Sequence, residues 1–410
     1  MNSCLLNFYC LRFIVRIGFI SRWRQQRFLL MATDTELKSG DGFDRLANKA
    51  TFIFGYPKSG TTLLLALLDN HPELVVLPEE SNFFYSVLPE VNKVKAILEN
   101  TAIRNFSNHH AFTLGMGQRD YSDFDFKSFV ANLKEQIALS RGDKEFFLAL
   151  IKSFYLAKGS AAGAKRWVEK TPHNEYYFHL IREWFDDDAI CFHVMRDPRD
   201  VFGTYRELRA RKGKKLSLSE FCLRWALSSE LALRLASQYG NYYIILYSNL
   251  VYHPQETMEK VAALLGIKFH ESLLRPTLNG VPWVGNSTND FNFIGVSPAA
   301  KGRYKERLTA REVRKIESKL GGYMRLFGYH LETSPGLSLG NLFFRMRVAK
   351  LIHWNYGHIW RLGKLRSRIW PRVREMRIFK RLSGLVIISG LGDYVEELLL
   401  ALYMWNITRK

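Results

Sequence analysis

Short apolar runs alternate with longer stretches of helical periodicity through most of this chain. Residues 51–54, 74–77, 189–195 and 242–247 are runs of four to seven residues rich in β-branched and aromatic side chains. Such runs predict strands buried on both faces. Between them, apolar residues recur at helical spacing over 63–68, 176–184, 221–239 and 254–265. Pro254 opens the last of these, where a missing N–H costs no hydrogen bond. Thr309-Ala310-Arg311-Glu312 has capping-box spacing and predicts a further helix start. Strands alternating with helices predict an α/β fold: a P-loop-like central parallel β-sheet flanked by helices. Residues 93–158 read as a variable helical segment, and 278–303, rich in Gly, Asn and Ser, as a loop.

Charge refines the boundaries. The net charge of +20 over 410 residues sits at the ends: residues 1–30 carry five arginines and no acid, and 341–410 carry fourteen Lys/Arg against four acids. Three regions follow: a basic extension and linker over 1–45, the sheet-bearing domain over 46–335, and a basic, Trp-rich helical appendage over 336–410. The appendage interleaves Trp354, Trp360 and Trp370 with arginines, and its uncharged run of eleven residues, 382–392, is too short to span a bilayer. It reads either as a helix lying on a membrane surface or as a hairpin packed on the core or on a second subunit. Nucleic acid is a poor partner for this charge, because no recognition motif accompanies it.

The N-terminal apolar stretch is broken by Arg12 and Arg16, and its charges follow the apolar part, the reverse of a signal peptide. Either translation starts at Met31 or residues 1–30 form a basic surface helix. Four cysteines (Cys4, Cys10, Cys191, Cys222) make neither a disulfide framework nor a metal spacing. The expectation is a cytoplasmic protein, peripheral on membranes if 341–410 lies on them, with Cys191 a buried thiol.

The most informative chemistry lies at Gly55-Tyr56-Pro57-Lys58-Ser59-Gly60-Thr61-Thr62, between a predicted strand and a predicted helix. Backbone amides and a helix N-terminus receive phosphate in that setting. Gly55 and Gly60 keep the spacing of a nucleotide triphosphate loop, but Thr61 stands where the lysine should follow and Lys58 sits inside the loop. That displacement fits a shorter nucleotide whose transferable group lies at the 5′-phosphate. Arg196 closes the 189–195 strand; an arginine at a strand end with a hydroxyl from the next helix, here Thr204, is a reasonable phosphate clamp, although an arginine near an aspartate is more often a surface ion pair.

With these segments and Gly295-Val296-Ser297-Pro298-Ala299-Ala300-Lys301-Gly302-Arg303-Tyr304 in view, residues 50–330 resemble the sulfotransferases. More narrowly they look like the bacterial-type branch related to the tyrosylprotein and heparan enzymes. The resemblance implies 3′-phosphoadenosine 5′-phosphosulfate (PAPS) as sulfuryl donor, no metal, and a hydroxyl-bearing acceptor of lipid, carbohydrate or other metabolite type. It implies that Lys58, Ser59, Gly60, Thr61 and Thr62 hold the 5′-phosphosulfate. It assigns Arg196 and Thr204 to the 3′-phosphate, with Lys301 and Arg303 as further candidates, and Tyr247 and Gly302 to the nucleotide. Lys170 matches a lysine that approaches the sulfuryl group, and Ser297 a serine that stabilises the transition state.

Two residues compete for the acceptor's proton. Glu80 matches a glutamate base, although its spacing from His71-Pro72 is one residue longer. His173, three residues after Lys170, is the rival, while Glu79 reads as a solvated neighbour. Two other functions remain open on sequence: an ATP-dependent P-loop phosphotransferase, and an inactive membrane-peripheral nucleotide-binding protein. The acceptor and the oligomeric state are not readable.

Overall fold

The computed structural model describes residues 42–113, 117–159, 163–285, 295–333, 343–344 and 346–349. The expectations for 1–30, and those for the appendage over 341–410 apart from a few residues, lie outside this set.

Strand β1 (Ala50–Phe54) leads through the glycine loop into α1 (Thr61–Leu68), then β2 (Leu74–Val76). A π-helical turn (Phe83–Val87) precedes α2 (Lys93–Leu98), α3 (Thr101–Phe106) and a hairpin of β3 (His110–Thr113) and β4 (Gly117–Asp120). Helices α4 (Phe126–Leu139) and α5 (Asp143–Lys158) return the chain to β5 (Arg166–Lys170). Next come α6 (Phe178–Phe185), β6 (Ile190–Met195), α7 (Pro198–Arg211), α8 (Leu218–Gln238) and β7 (Tyr242–Leu246). The rest is α9 (Tyr247–Tyr252), α10 (Pro254–Leu265), a short hairpin of β8 (Thr277–Leu278) and β9 (Val281–Pro282), α11 (Tyr304–Arg307) and α12 (Ala310–Leu326).

Five strands form one parallel sheet in the order β2-β5-β1-β6-β7, so the α/β expectation holds. Side chains alternate across it. Phe52, Phe54, Trp167, Cys191 and Met195 join one core, which includes Phe147 of α5, Trp225 of α8 and Leu320 of α12. Ile53, Val168, Phe192 and Val194 join the other, with the leucines of α1 and Met258 and Val261 of α10. Both faces are therefore covered, which is why these strands read as near-continuous apolar runs. Cys191 is a buried free thiol, as expected, and burial raises its pKa. Phe43 and Leu46 at the start of the described region are buried too, as are Phe344 and Val348.

Three details depart from the sequence reading. The 93–158 segment is not all helical, because β3 and β4 interrupt it. Those strands lack an apolar alternation; Arg119 in β4 and Tyr121 just beyond it instead reach back to a buried carboxylate, Glu79. The 278–303 loop begins with the β8–β9 hairpin, fastened by Asp69, which accepts from Thr277 Oγ1 and Gly280 N at 2.8 Å each. Tyr247 opens α9 and does not end a strand. The capping box at Thr309 and Glu312 is present with both of its bonds. Among the described residues no helix is long and apolar enough to cross a membrane.

Candidate active site

Every strand of the central sheet delivers a predicted site residue at or just beyond its carboxyl end. The glycine loop follows β1, Glu80 lies four residues after β2, Lys170 is the last residue of β5, Arg196 follows β6 and Tyr247 follows β7. Ligands of open parallel sheets bind in the crevice at this edge.

The loop owes its shape to a few backbone constraints. A Cβ on Gly55 would stand 2.5 Å from Val194 O, so only glycine lets β1 turn so close to β6. Ser59 N donates to Tyr56 O at 3.1 Å and closes a tight turn over Pro57 and Lys58. Lys58 has φ 74°, a left-handed conformation usually left to glycine and costing a side-chain-bearing residue about 1 kcal/mol or more. Gly60 has φ 107°, and a Cβ there would meet the Tyr247 ring at 2.4 Å.

Gly60 caps α1 without a side-chain bond, and the helix's first turn holds no acid. The amides of Thr61, Thr62 and Leu63 thus have no acceptor inside the helix, and nothing offsets the positive end of its dipole. Ser59 Oγ and Arg196 Nε are buried without a partner. Orphaned donors beside an uncapped helix start are what an anion satisfies.

Arg196 ties three predicted segments together. Its Nη1 donates to Lys58 O at 3.3 Å and its Nη2 to Ala300 O at 2.5 Å, and its guanidinium lies 4.3 Å from the centre of the Tyr247 ring. Asp200, one turn further on, accepts from Gly302 N at 2.8 Å and Tyr304 N at 3.0 Å, binding the late loop to α7. Thr204 accepts from Arg307 Nη1 at 2.9 Å. Arg307 also meets Glu207 at 3.2 Å, and burial lowers its pKa.

The other late-loop residues are less converged. Ser297 Oγ accepts from Ala299 N and caps its own turn. Lys301 is exposed, with its ammonium 4.5 Å from the Tyr252 ring centre, and Arg303 lies 3.8 Å from Glu306.

Lys170 is fully buried, and its Nζ pairs with Glu80 Oε1 at 2.6 Å. Burial is the main cause that lowers the Lys58 ammonium to about 7; Glu80 opposes the shift, while Lys170, Lys212 and Arg196 add to it. Three cations therefore surround Lys58 with one nearby carboxylate, an electrostatic setting that favours an incoming anion. His173 is packed against Tyr56 edge-on and stacked with Tyr176, and burial drives its pKa down to about 3.

Glu79 is not solvated. It is 2 % exposed, takes Arg119 Nε at 2.8 Å and Nη2 at 3.0 Å, Tyr121 Oη at 2.6 Å and Asn105 Nδ2 at 2.8 Å. Its neighbour Glu80 keeps a quarter-exposed side chain. Two residues that the sequence reading did not single out brace this region: Asp200 fastens the late loop and Arg307 meets Thr204. For Arg307 a signal existed: it follows Arg303 by four residues, one helical turn.

A search of curated protein sequences returns no match. Among solved structures, the chain is similar to the sulfotransferase domain of the Synechococcus PCC 7002 olefin synthase, at 18 % identity and TM-score 0.45 over 69 % of this chain and 95 % of that one. It is also similar to the sulfotransferase domain of the curacin biosynthetic pathway (19 %, TM-score 0.41, 68 % and 98 %). A third is sulfotransferase STF9 from Mycobacterium avium (14 %, TM-score 0.39, 72 % and 80 %). The family-wide sequence model described as "Sulfotransferase family" matches residues 50–271, more than half of the chain, from β1 through the glycine loop to beyond α10. The chain belongs to the sulfotransferase family.

Proposed function

We propose that this protein transfers a sulfuryl group from PAPS to a hydroxyl acceptor. What supports the donor is Lys58: it stands inside the loop, in a left-handed turn, bonded through its carbonyl to Arg196 beside the uncapped start of α1. A lysine there lies alongside a 5′-phosphosulfate, whereas a triphosphate calls for one at position 61. Loop amides, Ser59, Thr61 and Thr62 hold the 5′ end, and Arg196, Thr204, Arg303 and Arg307 hold the 3′-phosphate. Tyr247, Gly302 and the loop around Ser297 line the nucleotide, with Lys301 at the rim.

PAPS, when bound, supplies the sulfuryl group and leaves as adenosine 3′,5′-bisphosphate. Lys58 and the amides stabilise the negative charge that grows on the departing phosphate. An anion beside Lys58 restores the charge that burial disfavours.

Glu80 Oε takes the acceptor's proton. It is partly exposed and paired with Lys170 at 2.6 Å, which orients it. His173 is the poorer base, since burial leaves its imidazole with a pKa of about 3.

The test is thermal denaturation with adenosine 3′,5′-bisphosphate, without added metal. A rise of several degrees is expected, and a smaller one with ATP and Mg²⁺. No shift with the bisphosphate for folded protein would overturn the donor assignment, and a larger shift with ATP would favour phosphotransfer.

A further inference from the structure

Main-chain pairing between β2 and β5 ends with Leu77 N donating to Val168 O at 2.9 Å, just before Glu80. From there side chains join the two segments in three rungs. Glu80 Oε1 meets Lys170 Nζ at 2.6 Å. Ser81 Oγ donates to Glu169 Oε1 at 2.6 Å, and Ser81 N to the same oxygen at 3.3 Å. Asn82 N donates to Thr171 Oγ1 at 3.3 Å, and Asn82 Nδ2 reaches back to Glu80 O at 3.1 Å. The proposed base and its lysine are therefore one rung of a bracket whose other rungs lie on either side of Lys170.

Glu169 is the centre of that bracket. Alternation along β5 sends its side chain to the face opposite Lys170. There it is wholly buried, with Phe52 of β1 as its register partner. A carboxylate in such a place is destabilising unless donors surround it. Four do: besides the two from Ser81, Thr171 Oγ1 donates to Oε1 at 2.5 Å and Asn174 Nδ2 to Oε2 at 3.1 Å. Burial raises the Glu169 pKa, and the Ser81 and Thr171 bonds oppose that rise. An ionised carboxylate only accepts. Both hydroxyls therefore turn their protons towards it, which leaves the Thr171 oxygen open to the Asn82 amide and the Ser81 oxygen open to Phe83 N, at 3.4 Å. One buried group thereby sets the sense of the bonds that hold residues 81–83.

We propose that Glu169 is a positioning residue for sulfuryl transfer: it touches no substrate, and through Ser81 and Thr171 it fixes where Glu80 stands against Lys170. The role rests on Glu80 as base. Misplacing a reacting group by about 1 Å can cost about 100-fold in rate. Glu169, Ser81, Asn82 and Thr171 are not among the residues assigned to PAPS. The bracket accordingly acts on turnover and leaves donor binding unchanged.

The full chain and its variants are compared in transfer of ³⁵S from labelled PAPS to an extract of the source, per molecule able to bind adenosine 3′,5′-bisphosphate. Glu169→Gln turns one acceptor oxygen into a donor, and Thr171→Val keeps the shape but loses the hydroxyl. Both are expected to lower the rate at saturating PAPS at least tenfold, with the PAPS KM within twofold of wild type. Thr171→Ser should restore the rate. A second readout needs no acceptor: competitive acetylation of the folded protein, read by mass spectrometry. Modification of Lys170 should rise at least fivefold in the two impaired variants and stay at the wild-type level in Thr171→Ser.

Wild-type turnover in Thr171→Val would overturn the inference, whether or not the buried Glu169 variant folds. A loss seen only in the PAPS KM would overturn it too, as would a slower rate with Lys170 still as protected as in wild type. Full turnover in Glu80→Gln would instead sink the base reading, and the positioning role with it.

Discussion

Arg307 Nη1 donates to Thr204 Oγ1 at 2.9 Å although 103 residues separate them. The bond brings a second guanidinium to the hydroxyl that lies two turns after Arg196. A hydrogen bond to a charged group is worth about 1.5–3 kcal/mol. Arg307→Ala should therefore weaken adenosine 3′,5′-bisphosphate binding by about 10- to 100-fold. Thr204→Val should cost less and Thr204→Ser little, because serine keeps the hydroxyl. Isothermal titration calorimetry reads all three; unchanged affinity for Arg307→Ala would remove that arginine from the site.

Lys58 sets a pH dependence. Burial brings its ammonium to about 7 in the free protein, and an anion binds best to the charged form. Affinity for the bisphosphate should fall as pH rises from 7 to 9, with proton uptake visible as a buffer-dependent enthalpy. In the free protein the sign reverses. Between about 7 and the ordinary 10.5 the unfolded chain binds more protons, so the Lys58 contribution to stability improves as pH rises through that window. Lys58→Ala should flatten the affinity profile; a profile kept by this variant would assign the titration elsewhere.

Glu80 and His173 can be separated by one comparison. Removing a general base typically costs about 10²- to 10⁴-fold in turnover. Glu80→Gln should show a loss in that range while retaining the bisphosphate shift. His173→Asn should lose stability first, since the ring is packed between Tyr56 and Tyr176. Equal turnover for Glu80→Gln and wild type would return the role to His173.

The Glu79–Arg119 pair should behave as a structural element. Both side chains are essentially unexposed, at 2 % and 0 %. Truncating one partner of a buried pair costs about 3–5 kcal/mol, because the other charge is left uncompensated. Urea denaturation of Arg119→Ala should show a loss of that size, and Arg119→Lys a smaller one. A loss below about 1 kcal/mol would mean that Tyr121 and Asn105 suffice to hold the carboxylate.

What the sequence displayed well was chemistry that is local in the chain. The glycine loop, the Arg196–Thr204 spacing and the apolar strand runs each fit within about ten residues. The sheet then brings them together because all five strands are parallel and end on the same edge. Glu79 and Glu80 show the limit. Adjacent carboxylates look alike, and only partners 26, 40 and 42 residues away (Asn105, Arg119, Tyr121) make one of them a buried anchor. The β3–β4 hairpin was hidden for the same reason, being fixed by those contacts and not by alternation. Lys301 was read from its place in a basic motif, and the fold sets its ammonium 4.5 Å from the centre of the Tyr252 ring.

Asp200 holds the late loop by two main-chain amides, those of Gly302 and Tyr304, while Arg196 holds the carbonyl of Ala300. Contacts of this kind ignore side-chain identity and register only how many residues lie between them. The loop is thus graduated like a ruler, with fixed marks at 300, 302 and 304. Exchanging a side chain between the marks leaves the spacing intact, whereas inserting or deleting a single residue would present Asp200 with the wrong amide. As far as fastening the loop goes, length is therefore the fixed quantity, and identity matters only where a residue has a further task, as Arg303 does at the proposed 3′-phosphate site and Gly302 at its positive φ of 76°.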